Sequence, residues 1–331
     1  MAKRGLAMKT AFLAATVAAF FWYVPLDMAR AADPTDVELL KIPFAPPVGQ
    51  DLKYDVTTTK VQPNRNTVSR TKQALRFDHI GGAYYLTVTI LRMEKDGTAV
   101  DLTTPAGMLS LPAEIRPFLQ PVTLELDSDG AFIRVRDWTR FQQALTALPD
   151  LISKADNPSD AAQAKAIGNR VIAPYMRMTA EQAPAAILKG WPAVFGFGGL
   201  ELEAGAEYEG EEQMPSPLLP VSMTVRQRFS LARNESDGTL GFHKLSTPDP
   251  EKLRAAAVGF VSSLGDGADA AYRANVEKAA AMMETMKVDD RLDAFFDPST
   301  GLVQRATIER RVSFGDAGQG GETITISRSK D

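Results

Sequence analysis

The stretch Asp51-Leu52-Lys53-Tyr54-Asp55-Val56-Thr57-Thr58-Thr59 decides the fold class, because its hydrophobicity alternates with a period of two. Leu52, Tyr54 and Val56 fall on one side of an extended chain, and the residues between them are charged or hydroxylated. This alternation is typical of a β-strand with one buried face and one face in water. One-sided burial is common in antiparallel sheets, so the stretch predicts a sheet of that kind.

Similar alternation returns in several later segments of the chain. Leu124 to Val135 has the pattern of a hairpin, with the turn residues Asp127-Ser128-Asp129-Gly130 between its two arms. Further alternating segments lie at residues 72–78, 86–90, 221–231 and 306–314. Together these segments predict a sheet of many strands.

Two groups of helical patterns interrupt the strands. Trp138, Phe141 and Leu145 form one apolar stripe, and Asp249 followed by Pro250 is a typical helix start. Helices are expected at residues 138–148, 161–175, 180–188, 250–264 and 272–286. The order of strands, helices, strands, helices and strands predicts an α+β fold rather than alternating βαβ units.

The first 31 residues have the layout of a secretory signal peptide. A basic start is followed by an apolar run over residues 11–26 and by Ala29-Arg30-Ala31, a small-residue cleavage site. We expect cleavage near Ala31-Ala32 and a periplasmic location; an uncleaved anchor and a buried N-terminal helix are the alternatives. Residues 32–50 are predicted to be a Pro-rich extended leader, and residues 51–331 one α+β domain of two halves, about 51–190 and 191–331.

Composition excludes several classes of function. The chain has no cysteine, which excludes a lipidated cysteine, disulfides and thiol catalysis. Its net charge is −4, and loss of residues 1–31 would make it three charges more negative. Nucleic-acid binding needs a basic face, so we expect no nucleic-acid partner. No second apolar run is long enough to cross a bilayer, so no stable membrane span is expected after cleavage.

The inventory of catalytic residues is small. His79 and His243 are the two histidines, and the chain has neither a nucleophile-elbow sequence nor a P-loop. The run 196–199 is glycine-rich, but it lacks the last glycine of the dinucleotide fingerprint and is predicted to be a turn. We predict no catalytic residue, no cofactor and no metal site. The cluster Asp289, Asp290 and Asp293 leaves a carboxylate-based hydrolase as a third hypothesis.

Three groups of residues are candidates for contact with a ligand or a partner. Trp191, Phe195 and Phe197 lie in an unusually apolar loop, which either fills the core or borders a hydrophobic ligand. Met283 and Met286, on a predicted helix, offer either core filling or an adaptable apolar surface. Acidic residues alternate along a predicted strand from Leu200 to Glu211, and Glu207 and Glu209 are its partner candidates; the alternative is a solvated sheet edge.

Three segments carry a family resemblance. They are Pro43 to Gly49, Leu126 to Trp138 and Phe296 to Arg311. The chain resembles uncharacterised Gram-negative periplasmic proteins built on antiparallel sheets, which are similar in outline to half-barrel carriers of lipoproteins. The resemblance implies a curved, half-barrel-like antiparallel sheet with helices packed on one face. It also implies an apolar ligand and assigns no functional residue.

The leading functional hypothesis is therefore an exported, non-enzymatic binding or carrier protein for an apolar small molecule. The alternative is a structural or interaction protein of the envelope, which would use the acidic strand and the Pro-rich leader as contact surfaces for another envelope protein.

Overall fold

The computed structural model describes residues 38–62, 65–149, 158–215, 222–263, 270–315 and 318–329. The predicted signal peptide lies outside these ranges. The strands are β1 (Leu39–Lys41), β2 (Asp51–Gln62), β3 (Arg65–Ile80), β4 (Ala83–Lys95), β5 (Thr98–Asp101), β6 (Val122–Leu126), β7 (Phe132–Val135), β8 (Glu201–Glu203), β9 (Glu207–Pro215), β10 (Ser222–Arg233), β11 (Leu240–Pro248), β12 (Met286–Phe296), β13 (Val303–Phe314) and β14 (Gln319–Arg328). The α-helices are α1 (Pro105–Leu109), α2 (Trp138–Leu145), α3 (Pro158–Arg177), α4 (Ala183–Ile187), α5 (Pro250–Ser263) and α6 (Ala270–Met283).

Twelve strands form one open, curved antiparallel sheet, which confirms the predicted α+β class. The strand order is β7-β6-β4-β3-β2-β14-β13-β12-β11-β10-β9, and β5 pairs with β4. Because β14 pairs with β2, the C-terminal strand lies beside the first long strand, and strands from both predicted halves share one sheet. β7 and β9 are the two ends of this sheet, and β1 and β8 form a separate pair.

One face of the sheet, here called the inner face, carries the buried side chains. Leu52, Tyr54 and Val56 point to it and are 5% exposed or less, as their alternation predicts. The inner face carries two apolar clusters. The first apolar cluster combines inner residues of β2–β4, β6, β7 and β10–β14 with α2 and with the segment from Met178 to Leu202. The second apolar cluster lies beneath α5 and α6 and comprises Met223, Leu253, Ala257, Val261, Val276, Met283, Met286, Val288 and Val312.

Helix α5 begins where its capping residues predict, but helix α6 ends earlier than predicted. The Asp249 carboxylate accepts hydrogen bonds from the backbone N–H groups of Glu251 and Lys252, which caps α5. Helix α6 ends at Met283, so the prediction that Met286 belongs to this helix is wrong. Met286 starts β12 and pairs with Phe314 of β13. Its spacing from Met283 also fits a helix, and the pairing with β13 decides the conformation.

The single strand predicted from Leu200 to Glu211 is also wrong, because the chain turns between β8 and β9. Gly205 has φ +73°, a conformation open to glycine at little cost. Its N–H donates to the Leu231 carbonyl, and the Ala204 N–H donates to the Glu38 carbonyl. These bonds direct β8 to pair with β1 and β9 to pair with β10.

The described part of the leader, residues 38–50, packs into the protein. Leu40 and Ile42 are buried in the first apolar cluster, and the Phe44 ring lies 5.2 Å from that of Tyr84. No helix in the described ranges is long and apolar enough to span a membrane.

Gly301 lets the turn after β12 pack against the leader, and its replacement should be costly. Its φ is +68°, and a Cβ atom there would lie 1.6 Å from the Pro43 carbonyl oxygen. We expect Gly301→Ala to lower the free energy of unfolding by about 2–4 kcal/mol, from the left-handed φ and the displaced backbone together. Urea unfolding followed by circular dichroism measures this loss.

Gly205→Ala is the matched control. Gly205 has a similar φ but no atom within 4 Å of the added Cβ position, so only the cost of about 1–2 kcal/mol for the conformation applies. Equal losses in the two variants would show that the contact with Pro43 contributes nothing.

Candidate functional site

The three aromatic candidates lie inside the first apolar cluster. Trp191 is 1% exposed, its ring centre lies 5.0 Å from that of Tyr54, and its Nε1 donates to Gln73 Oε1 over 2.8 Å. Phe195 and Phe197 are also buried and pack against further rings of the sheet. The structure therefore brings these three side chains together as part of the core.

A narrow crevice adjoins these rings. It lies between Phe44, Tyr54, Phe195, Phe197 and the turn at Gly301, and its volume is about 10 Å³. A space of this size holds roughly one water molecule. The crevice is therefore too small for an apolar ligand while the aromatic segment is in place.

The glycine-rich run forms the tight turn that its sequence predicts. The N–H of Gly198 donates to the Asp129 carbonyl over 3.0 Å, and that of Gly199 donates to the Ile42 carbonyl over 2.8 Å. A Cβ atom on Gly198 would lie 2.3 Å from the Asp129 oxygen. These glycines allow the loop to contact the β6–β7 turn and the leader, and those two N–H groups are engaged in backbone hydrogen bonds.

The two methionine candidates meet in the second apolar cluster. Met283 from α6 and Met286 from β12 are 2% and 4% exposed, and Met223 from β10 joins them with 0% exposure. Sequence reasoning placed Met223 on a strand but did not connect it with the other two. Methionine side chains adapt to irregular partners because they are unbranched and polarisable. The second apolar cluster is thus a methionine-containing part of the core beneath a pair of helices.

A polar row crosses the inner face between the two apolar clusters. Its members are direct neighbours on six consecutive strands, namely Lys60, Glu322, Arg310, Asp290, Ser246 and Gln227. Arg310 donates from Nε and Nη2 to the two oxygens of Asp290, at 2.6 Å each. Lys60 lies 3.6 Å from Glu322, which also binds the ammonium of Lys189. Gln227 donates to Glu212 over 3.0 Å.

Lys244 lies beside this row and was not identified from the sequence. It is half-buried on the inner face of β11, two residues after the buried Phe242, and its direct neighbours are Phe229 of β10 and Leu292 of β12. Burial lowers the pKa of its ammonium to about 8, although Glu212 and Asp290 act to raise it. The alternation of Leu240, Phe242 and Lys244 places this lysine on the inner face, but the local sequence does not show which groups on other strands lie beside it.

The lowered pKa of Lys244 predicts that stability rises with pH above about 8. The unfolded chain binds this proton up to the ordinary pKa of 10.5 and the folded chain releases it near 8, so between these values the free energy of unfolding increases with pH. We expect a gain of about 1–3 kcal/mol, measured by urea unfolding at a series of pH values.

Lys244→Met should reduce this rise to the part that Lys189 contributes, because burial lowers the pKa of Lys189 as well. Lys60→Met, at a side chain that is 43% exposed, should retain most of the rise. A rise that persists unchanged in Lys244→Met would contradict the assignment.

Glu207 and Glu209 lie on β9, at one end of the sheet. Glu209 pairs with Arg228 over 3.1 Å and Glu211 pairs with Arg226 over 3.2 Å, all from exposed side chains on the outer face. The structure therefore supports the interpretation of the acidic residues as a solvated sheet edge. Ion pairing reduces the negative charge that this edge offers to a basic partner.

The three clustered aspartates point to different faces of β12. Asp290 faces inward to Arg310, whereas Asp289 and Asp293 face outward. Although partial burial acts to raise it, hydrogen bonds from His243 and Arg291 hold the pKa of Asp293 below its usual range. A catalytic acid needs the opposite shift, together with a second carboxylate nearby. The arrangement therefore does not favour the hydrolase hypothesis.

Comparisons with known proteins give an outline of the fold. No family model and no curated protein sequence matches the chain. Among solved structures it is similar to lipovitellin, which was studied for its lipid–protein interactions, with 10% sequence identity and a TM-score of 0.36. The match covers 85% of this chain and 25% of lipovitellin. A likeness of this size concerns the outline alone, so function has to be argued from this chain's own residues.

Proposed function

We propose that this protein is an exported, non-enzymatic binding protein that carries an apolar ligand in the periplasm. Removal of residues 1–31 is part of this proposal, and their basic, apolar and small-residue order supports it. The ligand occupies the inner face of the sheet beneath α5 and α6.

The observation that carries the proposal is the composition of the second apolar cluster. Three methionines from three separate elements converge there: Met283 comes from α6 itself, and α5 and α6 pack over Met223 and Met286 of the sheet. Apolar ligands are held mainly by contact area, and methionines adjust that area to different shapes. The first apolar cluster differs, because the rigid rings of Trp191, Phe195 and Phe197 occupy its centre.

Ligand entry requires α5 and α6 to move, because Met223, Met283 and Met286 are covered when the helices are in place. A protein with a covered site binds a ligand if its open state is populated and the ligand stabilises that open state. An open sheet with a separate pair of helices permits this movement without breaking the strand ladder.

Detergent-free preparations from the periplasm test the proposal directly. We expect lipid extraction and mass spectrometry to find a bound apolar compound, and a fluorescent fatty acid to bind in a saturable manner. Met286→Gln should weaken binding of the probe about tenfold, because it places an amide against the apolar part of the ligand.

Met282→Gln is the matched control, since Met282 is 40% exposed on the same helix pair. Met286→Leu, which keeps the apolar volume, should bind the probe like the parent. Circular dichroism shows whether each variant is folded. If the parent protein contains no lipid and binds no probe, the proposal is wrong.

A further inference from the structure

Lys244 differs from the charged residues of the polar row. Arg310 and Asp290 bind each other, and Glu322 binds both Lys60 and Lys189. Within the described ranges, the Lys244 ammonium has neither a hydrogen bond nor a carboxylate oxygen within 4.0 Å. It is therefore a half-buried cation without a direct counter-ion in this part of the chain.

The surroundings of Lys244 make such a cation costly. Phe229 and Leu292 flank it on the neighbouring strands, and Phe242 precedes it on the same face. Glu212 and Asp290 face it from β9 and β12 and attract it, but Asp290 is engaged with Arg310 and Glu212 accepts a hydrogen bond from Gln227. A desolvated ammonium is most stable when an anion binds it directly.

Lys244 lies beside the polar row on the side of the first apolar cluster, and the proposed ligand site lies directly across the row from it. Asp290, which faces it, lies two residues from Val288 of the second apolar cluster on the same face of β12. An elongated ligand on that cluster therefore has one end near the polar row.

We infer that the ligand is an amphipathic anion, whose apolar part lies on the second apolar cluster and whose carboxylate or phosphate binds the ammonium of Lys244. This inference rests on the proposed function and specifies its ligand class. An anionic head group would supply the direct partner that Lys244 lacks, and the methionines would contact the chain of the ligand.

Three probes with the same 16-carbon chain test the inference, namely palmitate, 1-palmitoyl lysophosphatidate and hexadecanol. Each is measured by displacement of the fluorescent fatty acid from the full mature protein. We expect the anion with the higher affinity to bind at least about tenfold more tightly than hexadecanol. The reason is that a charge-assisted hydrogen bond is strong in a desolvated site. The order of the two anions distinguishes a carboxylate from a phosphate head group.

Lys244→Met should remove the advantage of the anions and leave hexadecanol binding unchanged. Lys244→Arg, which keeps the charge, should retain most of the advantage. Lys60→Met is the matched control, because it removes a cation from the other end of the row and should leave the preference intact.

Three results would overturn the inference. They are equal affinity of all three probes for the parent, an anion preference that survives Lys244→Met, and equal loss of anion and alcohol binding in that variant. The inference alone fails if hexadecanol binds as tightly as the anions. If none of the probes binds the parent protein, the proposed function fails as well.

Discussion

Arg310→Met should lower the free energy of unfolding by about 3–5 kcal/mol, because it leaves the Asp290 carboxylate without its partner on the inner face. The Arg310 side chain is 3% exposed and that of Asp290 is 13% exposed, so solvent cannot replace the lost bonds. The two bonds between them, at 2.6 Å each, form a bidentate pair. Urea unfolding followed by circular dichroism measures the loss.

The double variant Arg310→Met, Asp290→Leu separates the cost of an unpaired charge from the cost of lost packing. Removing both charges should recover most of the stability, since a buried ion pair contributes little compared with an apolar pair of similar volume. Arg228→Met is the matched control. It breaks the pair with Glu209, whose side chains are 53% and 73% exposed, and should cost at most about 1 kcal/mol. A loss in Arg310→Met as small as this would refute the argument.

Trp191→Ala should also lower the free energy of unfolding by about 3–5 kcal/mol. The side chain is among the largest that are fully buried, and its removal leaves a cavity in the first apolar cluster. The indole also donates to Gln73, whose amide oxygen would lose this partner. Denaturant unfolding followed by circular dichroism checks this result, because the variant loses a tryptophan signal.

Trp191→Phe is the control for the hydrogen bond and should cost less, because most of the ring volume remains. The same variants address the earlier hypothesis that Trp191 borders a ligand. As a core residue, it should change stability strongly while leaving the affinity of the fluorescent fatty acid within about threefold for any variant that folds. A large loss of affinity without a loss of stability would assign Trp191 to the ligand site instead.

Much of the secondary structure follows from local sequence. The alternation at residues 51–59, the turn residues between β6 and β7, and the cap at Asp249 each depend on a few adjacent residues. Local steric and hydrogen-bonding preferences act at that range, so these predictions are confirmed. The error at Met286 arose because its apolar spacing fits both a helix and a strand. The error at Gly205 arose because the alternation continues across a turn. Strand pairing decided the conformation in both places.

The candidate site depended on strand register, which local sequence does not contain. Met223, Met283 and Met286 belong to three separate elements, and the partners in the polar row come from distant parts of the chain, with Lys60 beside Glu322 as one example. Each strand shows which of its residues share a face, but not which residue of another strand lies opposite.

The sequence by itself therefore determined the α+β class and the alternation that defines the inner face, because both depend on periodicity. It also determined which side chains are available for catalysis, because that depends on composition. Tertiary structure decided that the aromatic segment fills the first apolar cluster, that the methionines form a second one, and that Lys244 lies beside the polar row between them. The physical reason is that burial and ion pairing depend on which strands and helices meet, and those contacts form only when the whole sheet assembles.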